Sequence, residues 1–356
     1  MELLVDSAEF WERIQEDLAQ ARERAWIQTF SFEGDAVGTA MARALEGSPA
    51  ADRRLLVDGY SLLYHNDRLI PGPALFDSAF RAEVRSTHAW TRRLRAGGVG
   101  VRFGNPLGPS PLRLLRRSHK KVAVFDGGVA YLGGINFCDH NFAWHDLMLR
   151  VEDPALAAHL AADFDASWNG RSQASDVTVG SLRVLSLNGR GNPRGFRPVV
   201  AAIRGARRSI DVVSPYLSPP FTDHLGAAVT RGVPVRVLTP ARNNKSLLAR
   251  SIREASHRHD FEVLPYHGRM NHMKAMVIDD EILVVGSSNF DLMSYHLLEE
   301  LFVITRAPDL LEAFRRRVWR PDTCRAPERV RSTHGTRWSH RAVRAGSTLA
   351  AAVAAL

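Results

Sequence analysis

The chain has 356 residues, 45% hydrophobic and 24% charged, which allows two domains of ordinary size and a sizeable core. A formal net charge of +9 favours an anionic partner and leaves nucleic acid, an acidic membrane surface and phosphorylated substrates open. Two cysteines, Cys138 and Cys324, exclude a disulfide framework, the start MELLVDSAEFWERIQEDLAQ carries acids where a signal peptide is basic and then apolar, and no run reaches the ~18 apolar residues of a spanning helix. The expectation is a cytoplasmic protein that touches a membrane without crossing it.

In chain order, RAWIQTFSFEGDAVGTAMARALEGSPAADRRLLVDGYS reads as strand, turn, amphipathic helix and second strand, a βαβ unit. GGVGVRFGNPLGPSP then leads to SHKKVAVFDGGVAYLGGINF. After a polar interruption at NGRSQASDVTVG (residues 169–180), the same order returns. RRSIDVVSPYLSPPFTDHLGAAVTRGVPVRVLTP predicts a strand near 209–214, a helix near 220–231 stopped by Gly232, and a further strand. HDFEVLPYHGRM leads to NHMKAMVIDDEILVVGSSNF. The chain therefore reads as a duplication: an α/β protein of two similar α-β-α sandwich halves with mixed sheets, residues 1–172 and 180–325, followed by a basic and apolar tail, 326–356.

Two segments invite functional readings that their patterns do not sustain. NGRGNPRG (188–195) fits neither phosphate-binding glycine fingerprint and reads as a basic surface loop. SHRHD (256–260) groups His257, His259 and Asp260 without a complete ligand set and reads as a solvated helix end.

Four lysines stand among 43 arginines, and two of them occupy a repeated spacing. His119, Lys121 and Asp126 are matched by His272, Lys274 and Asp279. With 14 histidines, 4 lysines and 22 aspartates, random placement would give about 0.01 such matches, so two at equivalent places are not accidental. On a strand, His119 and Lys121 share a face, as do His272 and Lys274. Turns centred near residues 127 and 280 would return each following strand as a hairpin, pairing position 119 near 135 and 272 near 288. Asn136 and Asn289 then come back to the histidines, with Ser287 beside the second. Histidine, lysine and asparagine donors in two sets suit an oxyanion with charge on several oxygens. Asp146 and Glu300 follow at similar distances and are candidates to orient a histidine through its far ring nitrogen, although His145 and Glu299 adjoin them and a slip of one residue would exchange faces. Taken singly, Asp126 and Asp279 could simply hold turns, and Gly133, Gly134 and Gly286 could permit close backbone approach.

These paired H-x-K-x4-D segments, with Gly133-Gly134-x-Asn136 and Gly286-Ser287-x-Asn289, resemble the signature of the phospholipase D superfamily. WIQTFSFEGDAVG, RLLVDGYS, WHDLMLRVEDPAL and GSSNFDLMSYHLLEELFVI are similar to bacterial cardiolipin synthases of the type lacking amino-terminal membrane spans. The resemblance runs from about residue 1 to 320 and implies a phospholipase D-like fold, no metal or other cofactor, and phosphatidyl transfer through a phosphohistidine. It makes His119, Lys121, Asp126, His272, Lys274 and Asp279 catalytic and Asn136, Ser287 and Asn289 substrate-binding. It further implies phospholipid substrates such as phosphatidylglycerol and peripheral association with the inner face of the cell membrane. A lipid hydrolase using water as acceptor is the alternative. A nuclease of the same superfamily is disfavoured: NPLGPSPLRLLRRS (105–118) alternates leucine and arginine as a headgroup–acyl boundary would demand, without the aromatics of a base-stacking groove.

Overall fold

The computed structural model describes residues 1–66, 68–70, 72–106, 114–325 and 345. Its first strands are β1 (Glu2–Val5), β2 (Arg24–Thr29), β3 (Asp52–Asp58), a short hairpin of β4 (Tyr64–His65) and β5 (Arg68–Leu69), β6 (Gly100–Gly104), β7 (Val122–Phe125), β8 (Val129–Gly133) and β9 (Leu147–Glu152). Apart from the hairpin they form one sheet, ordered β1-β9-β8-β7-β2-β3-β6, parallel across β2-β3-β6 and antiparallel elsewhere.

The later strands repeat the plan: β10 (Ser175–Val179), β11 (Leu182–Asn188), β12 (Ile210–Val213), β13 (Val235–Pro240), β14 (Glu262–Tyr266), β15 (Ala275–Ile278), β16 (Ile282–Gly286) and β17 (Glu299–Thr305). Their order is β10-β11-β17-β16-β15-β12-β13-β14, with β10 an added edge strand. The two compact units divide between Gln173 and Ala174. The expected mixed sheets and helical cover are thus both present, twice.

Alternation along β2 explains the cover. Ile27 is fully buried among Phe10, Ile14, Met41 and Leu45 from the helices Asp6–Gln20 and Ala36–Gly47. Its neighbour Trp26 points to the other face and stacks on Phe164 of the helix Pro154–Trp168, with ring centroids 5.0 Å apart. Each such side chain contributes roughly 1.5–3 kcal/mol by leaving water. Capping fixes where the helices start: the Asp35 carboxylate accepts from Gly38 N at 2.8 Å, and Asp153, followed by Pro154, accepts from Ala155 N at 2.8 Å. In the second unit the helix Phe221–Thr230 fills the expected span, and Gly232 follows it with φ +85°, a conformation glycine adopts without steric cost.

The segment 188–195 is more than a surface loop. Asn192 is buried, accepts from Gly189 N at 3.0 Å and donates through Nδ2 to the carbonyls of Ser294 and Leu298, each at 2.8 Å. Gly189, at φ +70°, leaves no room for a side chain, since a Cβ would fall 2.5 Å from the Leu297 carbonyl oxygen. Gly189 and Asn192 thus serve packing against residues 294–298. His257 lies exposed near the end of the helix Ser246–His259, while His259 is partly covered. The tail from 326 onward falls, except for residue 345, outside the described residues, as do positions 107–113 of the leucine–arginine segment.

Candidate active site

Each motif begins just before the central antiparallel hairpin of its sheet. The registers are Val122↔Leu132 and Ala275↔Val285, so the turns centre at the expected places. Lys121 and Lys274 stand immediately before β7 and β15, and Asp126 and Asp279 immediately after them.

Five steps of extended chain, roughly 16 Å, therefore separate each lysine from its aspartate. Asp126 accepts from the backbone N–H groups of Arg22, Glu23 and Arg24 at 3.0, 2.8 and 3.0 Å. Asp279 does the same for Arg207, Arg208 and Ser209 at 3.0, 2.7 and 3.1 Å. Partial burial acts to raise both carboxyls, and the three backbone donors outweigh it, leaving both below the ordinary aspartate value. The structure thus places these aspartates at the far end of β7 and β15 from the lysines, where they clamp the hairpin turn to the chain entering β2 or β12. Asp126→Ala and Asp279→Ala should each lower the unfolding free energy by about 2 kcal/mol in urea titrations at pH 7. Because the folded pKa is depressed, that contribution is present above the ordinary value and is lost as pH falls through the folded one.

In the first unit His119 and Lys121 are both buried, with Lys121 Nζ donating to the His119 carbonyl at 2.7 Å. The ammonium lies 5.3 Å from the Phe30 ring centre, and His119 meets Phe30 edge-on at 5.3 Å. Phe30 stacks on Tyr60 and Tyr60 on Tyr64, at 5.2 and 4.3 Å. Sequence reading missed this aromatic wall. It also missed Asp58, at the carboxyl end of β3, whose buried carboxylate accepts from Ser118 N at 2.7 Å, Tyr60 N at 2.8 Å and Arg117 at 3.2 Å. Asp58 thus ties the residue before His119 to the loop carrying the wall, and the signal for it was an acid closing the strand RLLVD.

Lys120 projects to the opposite face of the chain from its neighbours. Its Nζ donates to both oxygens of Asp163 at 2.8 Å, and the pair is buried under the helix Pro154–Trp168. Met273, fully buried, holds the equivalent place in the second unit.

The second pair is tighter. Lys274 Nζ lies 2.6 Å from His272 Nδ1 and also donates to the His272 carbonyl. An ammonium has only donors, so Nδ1 accepts and the ring proton of a neutral His272 sits on Nε2. Tyr216 lies edge-on at 6.2 Å, held by its hydroxyl on Asn244 at 2.6 Å.

The returning strands bring the remaining candidates close to the ends of β8 and β16. Asn136 donates to Asn141 Oδ1 at 2.7 Å and accepts from Thr29 Oγ1 and Ser31 N at 3.3 and 3.4 Å. The buried Oδ1 of Asn289 has no hydrogen-bond partner among the described residues, an acceptor kept unsatisfied. Asp146 and Glu300 are buried beside Gly134 and Ser287. A Cβ on Gly134 would come 2.2 Å from Asp146 Oδ1. Ser287 Oγ instead donates to Glu300 Oε2 at 2.5 Å, and Ser294 Oγ to Oε1 at 2.7 Å. The adjacent His145 turns elsewhere, with Nδ1 2.6 Å from Asp6 Oδ1.

Each unit thus presents a histidine beside a buried lysine at the mouth of the same hairpin. The family model described as cardiolipin synthase, PLD-like domain, matches residues 14–168 and 199–320. The chain belongs to that family. Among curated relatives of this cardiolipin synthase family member, cardiolipin synthase A of Pseudomonas putida (strain W619) is 28% identical over 334 residues, covering 86% of this chain and 64% of that protein. The major cardiolipin synthase ClsA of Bacillus subtilis (strain 168) is 25% identical, covering 88% of this chain and 68% of that protein. The chain thus spans about two thirds of the length of these relatives. The fold is shared with the crystal structure of phosphatidylserine synthase from Haemophilus influenzae Rd KW20, at a TM-score of 0.71 and 13% identity, covering 98% of this chain and 92% of that one. No helix among the described residues is long and apolar enough to cross a membrane.

Proposed function

We propose that the protein is a phosphatidyltransferase of the cardiolipin synthase type, acting through a phosphohistidine. The observation that carries this reading is the buried histidine–lysine pair repeated in both units of a chain whose family is that of the cardiolipin synthases. In the first step Nε2 of His119 attacks the phosphorus of a phospholipid, the phosphorus–oxygen bond to the headgroup alcohol breaks, and His272, entering this step as the imidazolium, delivers a ring proton to the departing oxygen and becomes neutral. In the second step His272 takes the proton of an incoming alcohol, whose oxygen bonds to phosphorus as the nitrogen–phosphorus bond of His119 breaks. Lys121, Lys274, Asn136 and Asn289 stabilise the charged oxygens throughout. Asp146 and Glu300 act as positioning residues, with Ser287 holding Glu300 in place.

The donor we propose is phosphatidylglycerol and the acceptor a glycerol hydroxyl of a second phosphatidylglycerol, so the products are a diphosphatidylglycerol and glycerol. The protein works as a peripheral enzyme on the inner face of the cell membrane. Purified protein incubated with vesicles of labelled phosphatidylglycerol should release glycerol and labelled diphosphatidylglycerol in equal amounts. Phosphatidic acid as the sole labelled product would make it a hydrolase, and cleavage of single-stranded or duplex DNA with inert lipid would move it to the nucleases.

A further inference from the structure

Behind Asn136 the first unit gathers three side chains with metal-ligand chemistry. Glu33 follows the β-bridge residue Phe32, and Cys138 follows its partner Phe137, so the bridge brings the two loops together. One ligand atom each from Glu33, Cys138 and His140 lie within 4.8 Å of one another. Cys138 Sγ is 3.8 Å from His140 Nε2, close to the roughly 3.5 Å edge of a tetrahedron around zinc. Glu33 and Cys138 are 3% and 0% exposed, while His140 lies at the rim.

The second unit shows how the same junction closes with hydrogen bonds alone. Its bridge is Leu217↔Phe290, and the residues corresponding to Glu33, Cys138 and His140 are Ser218, Asp291 and Met293. Ser218 Oγ accepts from Leu292 N at 2.9 Å, and Asp291 caps its short helix by accepting from Ser294 N at 2.9 Å. In the first unit Cys138 occupies the cap position of the helix Asp139–Phe142 and makes no side-chain cap hydrogen bond. A cap is forgone, at a typical cost of ~1 kcal/mol, at a place where an aspartate caps the corresponding helix of the sister unit.

We infer that Glu33, Cys138 and His140 bind a zinc-class divalent cation, with Cys138 as thiolate, His140 through Nε2, Glu33 through a carboxylate oxygen and water completing the coordination. Binding replaces the thiol proton of Cys138, which passes to solvent. Thiolate, imidazole and carboxylate together select a borderline metal over magnesium or calcium. Its role is structural and stands apart from the phosphoryl chemistry. It staples the loops on either side of Asn136, whose carbonyl accepts from Ser31 N and whose amide donates to Asn141. The nearby Asp35 and Asp139 are already engaged: Asp35 Oδ2 accepts from Asp139 N at 2.6 Å and Asp139 Oδ1 from Val37 N at 2.8 Å.

The test is titration of the chelator-treated full chain with Co2+ alone, followed by absorbance and by the thermal midpoint. We expect one cobalt per chain, a near-ultraviolet thiolate-to-cobalt band, its stoichiometric displacement by Zn2+, and a raised midpoint. Cys138→Ser should abolish the band, Cys324→Ser should leave it intact, and His140→Gln should weaken cobalt binding at least tenfold. Should Cys138→Ser fail to fold, His140→Gln at the rim of the site still carries the comparison. Absence of the band, its persistence in Cys138→Ser, or unchanged affinity in His140→Gln would overturn the site, whatever the outcome of the lipid assay.

Discussion

Replacing either His119 or His272 by alanine is expected to lower phosphatidyl transfer by about three orders of magnitude or more with the circular dichroism spectrum unchanged. In the proposed mechanism the two residues act in sequence on one phosphorus, so neither would cover for the other, and the double replacement should be little worse than either single one. The two variants should differ in what they accumulate. His272→Ala keeps the nucleophile and loses the acid, so a substrate with a good leaving group should still load label onto His119. His119→Ala should load none. Label mapped to His272 in the wild-type protein would reverse the assignment, and substantial turnover in either folded variant would remove the shared site altogether.

Lys120→Ala should be among the most destabilising single changes in the chain, even though Lys120 adjoins a proposed catalytic lysine and touches no reacting group. It would leave the Asp163 carboxylate, 6% exposed, buried without its cation. Breaking a buried pair from one side typically costs about 3–5 kcal/mol, a large fraction of the roughly 5–15 kcal/mol that holds a domain folded. Lys120→Met combined with Asp163→Leu should recover most of that loss, since Met273 fills the corresponding position in the second unit without any charge. Urea titrations of the three proteins decide the matter: equal midpoints for Lys120→Ala and the wild type would show that the ion pair contributes nothing net. Lys121→Arg makes the complementary contrast. It preserves charge and fold yet should lose most activity, because a planar fork cannot sit where a compact ammonium reaches a phosphoryl oxygen.

The neighbouring lysines also mark how far the sequence could be read. Period and spacing specified the duplication, the hairpin registers and the facing of His119 with Lys121, because these follow from strand alternation and turn position alone. Lys120 was legible only as the residue pointing the other way. Its partner Asp163 lies 43 positions later on a helix, and nothing local announces that meeting. The backbone partners of the motif aspartates were hidden for a related reason. Spacing carries no information about which end of a strand reacts, and the donors to Asp126 come from the chain a hundred residues earlier. Asp58 and the stack of Phe30 on Tyr60 stayed hidden because both depend on how β2 and β3 end side by side in a parallel sheet.

Gly134 and Ser287 occupy the same place in the two units, yet neither could be exchanged for the other. A serine at 134 would thrust its Cβ into the Asp146 carboxylate, and a glycine at 287 would strip Glu300 of one of its two hydroxyl donors. Each small residue is matched to its own acid, the shorter aspartate pressed against bare backbone and the longer glutamate held by a hydroxyl. A short stretch of DNA copied from one half of the gene into the other would therefore damage whichever half received it, unless the tract reached far enough to carry both members of the pair.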